Sequence, residues 1–268
     1  FFTIYRSKLL KFFQKLNNKK FDIIIVFKGI FLDLATLEKC KNITKDAFWA
    51  NVFSDDPFNI KKFNDISNSN VLKSINFYDF YFIWSKELRT KLINFSMKKK
   101  IFFLPFANDD FVHKEVNTKK EIKFDLSFVG TADKKRFDFL KNFKKFKVII
   151  AGNNWNRYNF DSNFKIINTP INASQNAKVI ANSKISLNLL RKQNEGSHNM
   201  KTFEIPAMGG LLVTKKTSEQ NRFFPNNKAS VMFSSKNDLN RKIKYIIKNY
   251  SKYEKIRKNG LKIAKKNT

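Results

Sequence analysis

Short apolar runs alternate along this chain with longer stretches in which apolar residues recur every three or four positions. The short runs are rich in β-branched and aromatic residues and predict strands. In the first half they are Asp22–Phe27, Phe48–Phe53, Asp79–Trp84 and Ile101–Leu104. In the second half they are Asp125–Val129, Lys147–Ala151, Lys165–Ile167, Ile185–Leu190, Leu211–Val213 and Ser230–Phe233. The helical spacing falls on Leu32–Lys41, Ser85–Phe95, Lys134–Phe143, Ala173–Ala181, Phe203–Met208, Asp238–Tyr250 and Lys252–Ala264. It also falls on Phe2, Tyr5, Leu9, Phe12, Phe13 and Leu16, so a trimmed piece of a longer protein is expected, beginning inside an amphipathic helix.

Near-continuous apolar strands, each followed by a helix, predict parallel sheets. The polar stretch from Pro105 to Lys120, which includes His113, reads as an interdomain linker, and the rhythm then restarts. The fold class expected is therefore α/β, with two Rossmann-like doubly wound domains facing a cleft. The first spans residues 1–115 and is incomplete; the second spans residues 116–268. In such sheets ligands lie beyond the carboxyl ends of the strands, so the loops that follow the strands are where chemistry is sought.

Composition changes this picture little. The 268 residues carry a formal net charge of +31, a pI near 10.1 and 31 Phe. Only eight of the 53 basic residues are Arg, the rest being Lys. Nucleic-acid readers favour the bidentate fork of Arg, and no helix-turn-helix, zinc or RNP-like pattern is present, so no specific nucleic acid is expected as partner. Lys, Asn, Ile and Phe share A/T-rich codons, and the charge reads as compositional drift, with peripheral contact to an anionic membrane as a by-product. The runs Lys98–Lys100, Lys119–Lys120, Lys215–Lys216 and Lys265–Lys266 are scattered and read as solvated faces. A single cysteine, Cys40, allows no intrachain disulfide and fits a reducing compartment. No run approaches the roughly 18 apolar residues of a transmembrane helix. A cytoplasmic location is expected.

The stretch from Ser186 to Thr214 carries the most chemistry. A buried strand ends near Leu190, and a polar loop follows with Arg191, His198, Asn199, Lys201 and Thr202. A short helix then starts at Phe203 with Glu204 in its first turn, and Gly209-Gly210 turn the chain into the next strand. A helix start with free N–H groups beside Lys and Arg suits a diphosphate. A carboxylate one turn along can accept both hydroxyls of a ribose. Equally, Glu204 can simply favour the positive helix end.

These residues resemble a known signature. Phe203-Glu-Ile-Pro-Ala-Met-Gly-Gly-Leu-Leu-Val-Thr214 is similar to the donor site of GT-B glycosyltransferases, specifically of the CgeB-like (spore-maturation-type) family. Three more segments match in order: Ser54-Asp-Asp-Pro57, Phe103-Leu-Pro-Phe-Ala-Asn108, and Phe124-Asp-Leu-Ser-Phe-Val-Gly-Thr131 with Arg136 a turn later. The likeness spans residues 50–268, without that family's first strand and glycine-bearing loop. It implies that Glu204 binds the nucleotide ribose, that Lys201 and Arg191 approach the diphosphate, and that Gly130 and Thr131 lie at the phosphate or sugar end of the cleft. Many GT-B enzymes have two glutamates with seven residues between them. Here Glu195 and Glu204 have eight, and Glu195 reads as an exposed loop residue.

The expected activity is transfer of a sugar from a nucleoside-diphosphate donor to the hydroxyl of a glycan, lipid-linked or protein acceptor. It needs no cofactor, the nucleotide sugar being substrate, and no metal. Donor binding is expected at Gly130, Thr131, Arg136, Arg191, Asn199, Lys201, Thr202 and Glu204. Asp55 is a candidate general base, although Asp55-Asp56-Pro57 is also good turn chemistry. His198 is a candidate near the diphosphate or a structural residue, and His113 reads as bland. The rival readings are a catalytically silent nucleotide-sugar-binding protein and a basic nucleic-acid-binding protein.

Overall fold

The computed structural model describes residues 2–16, 19–60, 68–116 and 122–268, and divides into two compact units, residues 1–105 and 106–268. The first unit opens with helix α1 (Phe2–Lys15) and strand β1 (Ile23–Phe27). These are followed by α2 (Leu34–Ile43), β2 (Phe48–Phe53), α3 (Asn68–Lys73), β3 (Phe80–Ile83), α4 (Lys86–Ser96) and β4 (Ile101–Phe103). The strands pair in parallel in the order β1-β2-β3-β4. Local chemistry sets the helix starts: Asp33 accepts the Thr36 N–H and Ser85 accepts the Leu88 N–H. Trp49, Phe53, Tyr81, Ile83 and Ile101 are buried on one face of the sheet, whereas Ile23, Ile25, Phe27, Phe48 and Phe102 on the other are exposed. Parallel pairing thus follows the predicted pattern, but among the described residues one face of this sheet stays largely open.

The second unit comprises β5 (Phe124–Val129), α5 (Lys134–Leu140), β6 (Val148–Ala151), β7 (Phe164–Ile167), α6 (Ala173–Ala181) and β8 (Ser183–Asn188). It continues with α7 (Lys201–Ala207), β9 (Leu212–Lys215), α8 (Ser218–Phe223), β10 (Val231–Phe233), α9 (Lys236–Lys248) and α10 (Glu254–Ala264). All its strands are parallel, in the order β10-β9-β8-β5-β6-β7. That is the doubly wound order, with the chain reversing direction between neighbours β5 and β8. One buried cluster gathers Leu126, Val148, Ile150, Ile185, Val213 and Ile243 with Trp155. A second gathers Ala177, Ile180, Phe203, Met208, Leu212 and Phe224.

Residues 106–116 belong to this unit, although the sequence reading placed 106–115 in the first domain. The Phe106 N–H donates to His198 Nε2 at 3.2 Å, and the Asn108 N–H to the Asn267 carbonyl at 3.1 Å. Glu115 pairs with Arg257 at 2.8 Å, and Phe106 and Val116 pack against the second cluster. A polar stretch that spends its hydrogen bonds on a neighbouring surface is not a free linker. Residues 117–120 of the expected linker, including Lys119–Lys120, lie outside the described residues.

One boundary shifts and one helix is added, each for an identifiable reason. Strand β8 ends at Asn188, not Leu190, because the Leu189 carbonyl turns to accept from Arg136. Helix α8 was not predicted at all, being short and polar; Thr217 caps it by accepting the Gln220 N–H at 3.0 Å.

Candidate functional site

The topological reversal brings the carboxyl ends of β5 and β8 side by side. Arg136 spans that junction. Its Nη1 donates to the Thr131 carbonyl just after β5 at 2.8 Å, and its Nη2 to the Leu189 carbonyl just after β8 at 3.2 Å. Asp133 caps α5 by accepting the Arg136 N–H, and the guanidinium lies 5.3 Å from the Phe128 ring centroid. Burial, reinforced by the nearby positive charge of Arg191, lowers the Arg136 pKa to about 10. The two guanidinium groups at the ends of adjacent strands, offset in part by Asp133 Oδ2 3.6 Å from Arg136 Nε, make a focus of positive potential. Gly130 sits at the base of the same loop, its carbonyl accepting from Trp155 Nε1 at 2.8 Å.

Behind this edge lies a buried polar network that the sequence reading did not assemble. Asn188 and Asn199 exchange side-chain amide bonds at 2.9 and 3.0 Å. Gln220 Oε1 accepts from the hydroxyls of Thr202 and Thr214, both at 2.9 Å, and Gln220 Nε2 donates to the Lys215 carbonyl. Thr202 and Gln220 are fully buried. Asn199 and Thr202, expected to touch a ligand, therefore hold the start of α7 against the end of β8. The only sequence signal for this network was the Thr217-x-x-Gln220 capping pattern.

The helix start also differs from expectation. The sequence reading placed free N–H groups at Phe203. Helix α7 begins at Lys201 instead, and the Thr202 N–H is bonded to Asn199, while those of Phe203 and Glu204 are bonded to the Met200 carbonyl. Those amides are not available to an anion. Lys201 turns back on its own helix, its Nζ 2.7 Å from Glu204 Oε2. At the other end of α7, the Gly209 N–H bonds the Pro206 carbonyl and the Gly210 N–H the Ile205 carbonyl, both at 2.9 Å. Gly209 has φ of 77°, so the glycine pair closes the helix as its sequence suggests.

His198 is fully buried, with both ring nitrogens engaged. Nε2 accepts the Phe106 N–H, so Nδ1 carries the proton and donates to Glu219 Oε2 at 2.7 Å. The Ser197 hydroxyl donates to the same carboxylate oxygen. Glu195 is exposed and pairs with Lys215 at 2.9 Å.

Asp55 belongs to the first unit, after the end of β2, and pairs with Lys28 at 2.5 Å. Asp56, not Asp55, makes the turn, accepting from the Phe58 N–H and the Asn59 side chain. Among the described residues, no three His, Cys, Asp or Glu side chains are grouped so as to share a cation. No helix among them is long and apolar enough to cross a membrane.

A family model described as glycosyl transferase-like matches residues 134–268. No curated protein sequence matches the chain. Solved structures do. A sucrose-phosphate synthase from Thermosynechococcus elongatus superimposes with a TM-score of 0.73 at 10% identity, covering 97% of this chain and 73% of its own. TarM, known from S. aureus, gives 0.70 at 14% identity, covering 96% of this chain and 55% of its own. Anabaena HepE, in complex with UDP and glucose, gives 0.68 at 12% identity, covering 98% and 77% respectively. At such identities the likeness establishes the fold: two parallel-sheet, Rossmann-like domains of the GT-B kind.

Proposed function

Because the chain belongs to the glycosyl transferase-like family, we propose that it moves a sugar from a nucleoside-diphosphate donor to an acceptor hydroxyl, binding the donor at the carboxyl ends of β5 and β8. The observation that carries this reading is Arg136 bridging the two strand ends with the charge of Arg191 beside it. A diphosphate there would relieve the repulsion between the two cations and fill the crevice in which doubly wound sheets take their ligands. The finer kinship, to CgeB-like enzymes, rests on the four ordered segments quoted above.

Breaking a glycosidic bond to a diphosphate leaves negative charge on the departing phosphate. Arg191 and Arg136 supply fixed positive charge where that develops, with little reorganisation because Arg136 is already held by two carbonyls. Gly130 and Thr131 shape the loop under the diphosphate or sugar. Glu204 accepts from the ribose hydroxyls, and Lys201, 2.7 Å from its Oε2, holds the carboxylate in place. Asn199 and Thr202 act indirectly, by positioning α7. His198 and Asp55 take no step in this reading, since each is held by a partner of its own.

HepE has been captured with UDP-glucose, and the pneumococcal O-GlcNAc transferase GtfA with UDP and GlcNAc, which makes UDP and its sugars the first probes. Calorimetric titration with UDP, UDP-glucose and UDP-GlcNAc, alongside an assay for released UDP, tests the proposal. Saturable binding with slow UDP release supports a transferase. Binding without release or transfer to any acceptor would favour a silent binding protein. No binding of any nucleoside diphosphate sugar would remove the donor site.

A further inference from the structure

The segment Asn108-Asp109-Asp110-Phe111-Val112-His113 folds back on itself. Asp109 Oδ1 accepts the N–H groups of Phe111 at 2.8 Å and Val112 at 3.2 Å. The Asp109 carbonyl accepts the His113 N–H at 2.7 Å, while the Asp109 N–H donates to His113 Nδ1 at 2.9 Å. An imidazole that accepts through Nδ1 carries its proton on Nε2 when neutral. The turn therefore fixes both the tautomer and the direction of the ring. Nε2 lies 4.0 Å from Glu204 Oε1, the carboxylate oxygen that Lys201 does not hold. That separation is too long for a direct hydrogen bond. It is the right width for one oxygen bonded to both, since two bonds of about 2.8 Å meeting at about 90° span it. On its other side His113 lines a cavity of about 380 Å³ with Asn108, Asp110, Lys114, Glu115, Ala207 and Lys265, so its ring borders space that a ligand can enter.

We infer that His113 is the second side chain of ribose recognition: Nε2–H donates to one ribose hydroxyl, which donates in turn to Glu204 Oε1. This rests on the donor-site reading above and adds a residue whose sequence context marked it as linker. The carboxylate only accepts and the imidazole N–H only donates, so a hydroxyl satisfies both at once. A hydrogen atom in its place leaves both groups unpaired, which is the kind of arrangement that discriminates strongly against a deoxy analogue.

The test is calorimetric binding of UDP, 2′-deoxy-UDP and 3′-deoxy-UDP to the wild type, Glu204→Gln, His113→Phe and His113→Gln, with thermal unfolding of each as a folding control. The wild type should bind one deoxy analogue at least tenfold more weakly than UDP. His113→Phe keeps a ring but loses the donor, and should bind UDP about tenfold more weakly with most of that discrimination gone. His113→Gln places an amide N–H near the Nε2 position and should recover part of both. If His113→Phe retains wild-type affinity and discrimination while Glu204→Gln loses them, the inference fails and the donor site stands. If Gln and Phe at 113 lower affinity equally and leave the discrimination intact, His113 only braces the turn and the inference again fails. If neither Glu204→Gln nor any His113 variant alters UDP binding, the underlying donor-site reading fails instead.

Discussion

A side chain on Gly152 would meet the carbonyl oxygen of Gly130 at 2.3 Å. The two glycines follow adjacent strands, β6 and β5, and their backbones touch where most residues would be held apart by a Cβ. Gly152 also has φ of 136°, a conformation L-residues rarely adopt. The Gly130 N–H bonds the Ala151 carbonyl at 2.8 Å, and Trp155 Nε1 holds the Gly130 carbonyl, so the loop has little room to retreat. Gly152→Ala should therefore cost about 3 kcal/mol or more, from combined backbone strain and steric clash. Urea unfolding checks this. A loss below about 0.5 kcal/mol, within the scatter of neutral surface changes, would show that the backbones are not in contact.

Asp238 gives the fold a distinct sensitivity to acid. Its carboxylate accepts from Lys242 at 2.9 Å, from the Ser234 N–H at 3.1 Å and from Arg241 at 2.9 Å, and these lower its pKa to about 2. An unfolded Asp titrates near about 4. The folded value is depressed, so the stabilisation is complete above about pH 4 and is lost as pH falls towards about 2. Asp238→Asn should lower the melting temperature at pH 7, and its deficit against the wild type should shrink across that acid window. A deficit independent of pH from 7 down to 2 would show that the charge contributes nothing.

The parallel strands and their helices were legible because apolar runs and helical spacing are local properties of sequence. The Gly209-Gly210 helix end was legible too, since positive φ and a Schellman closure have a characteristic residue choice. The polar core was not. Asn188, Thr202, Thr214 and Gln220 look like surface residues one at a time, and become core only when β8, β9 and α8 bring them together. His113 was hidden for the same reason: a polar stretch reads as linker until its hydrogen bonds are seen to end on its own turn and on His198 and Asn267 of the second unit. The start of α7 was misplaced because Met200 and Lys201 carry no capping signal, the helix being held from outside by Asn199.

The placement of His198 makes its own prediction. His198→Phe keeps the aromatic contacts with Phe106, Phe203 and Phe223 but removes both nitrogens. The Phe106 N–H then loses the Nε2 acceptor, and the buried Glu219 carboxylate loses one of its donors. Losing a buried hydrogen bond to a carboxylate in this way costs roughly 1.5–3 kcal/mol. The denaturation midpoint should fall accordingly, while protein that remains folded binds UDP normally. Full stability with abolished transfer would instead return His198 to the chemistry.

The two arginines at the strand ends should leave different signatures. Arg191 is exposed and faces the site mainly through its charge. Arg191→Gln should therefore leave stability nearly unchanged and weaken UDP binding by about tenfold, the equivalent of 1.4 kcal/mol. Arg136 does two jobs, because its guanidinium also satisfies the carbonyls of Thr131 and Leu189. Arg136→Gln should weaken UDP binding and also destabilise the unit by about 1–3 kcal/mol, the cost of stranding a buried hydrogen-bonding group. Salt separates charge from shape. Raising ionic strength screens the approach of the diphosphate, so UDP affinity should fall with added salt, and less steeply in Arg191→Gln. Uridine has no phosphate to attract; its weaker binding should be nearly indifferent to salt and to the Arg191 substitution. If uridine and UDP bind equally well, or if both respond to salt alike, the diphosphate does not lie at Arg136 and Arg191.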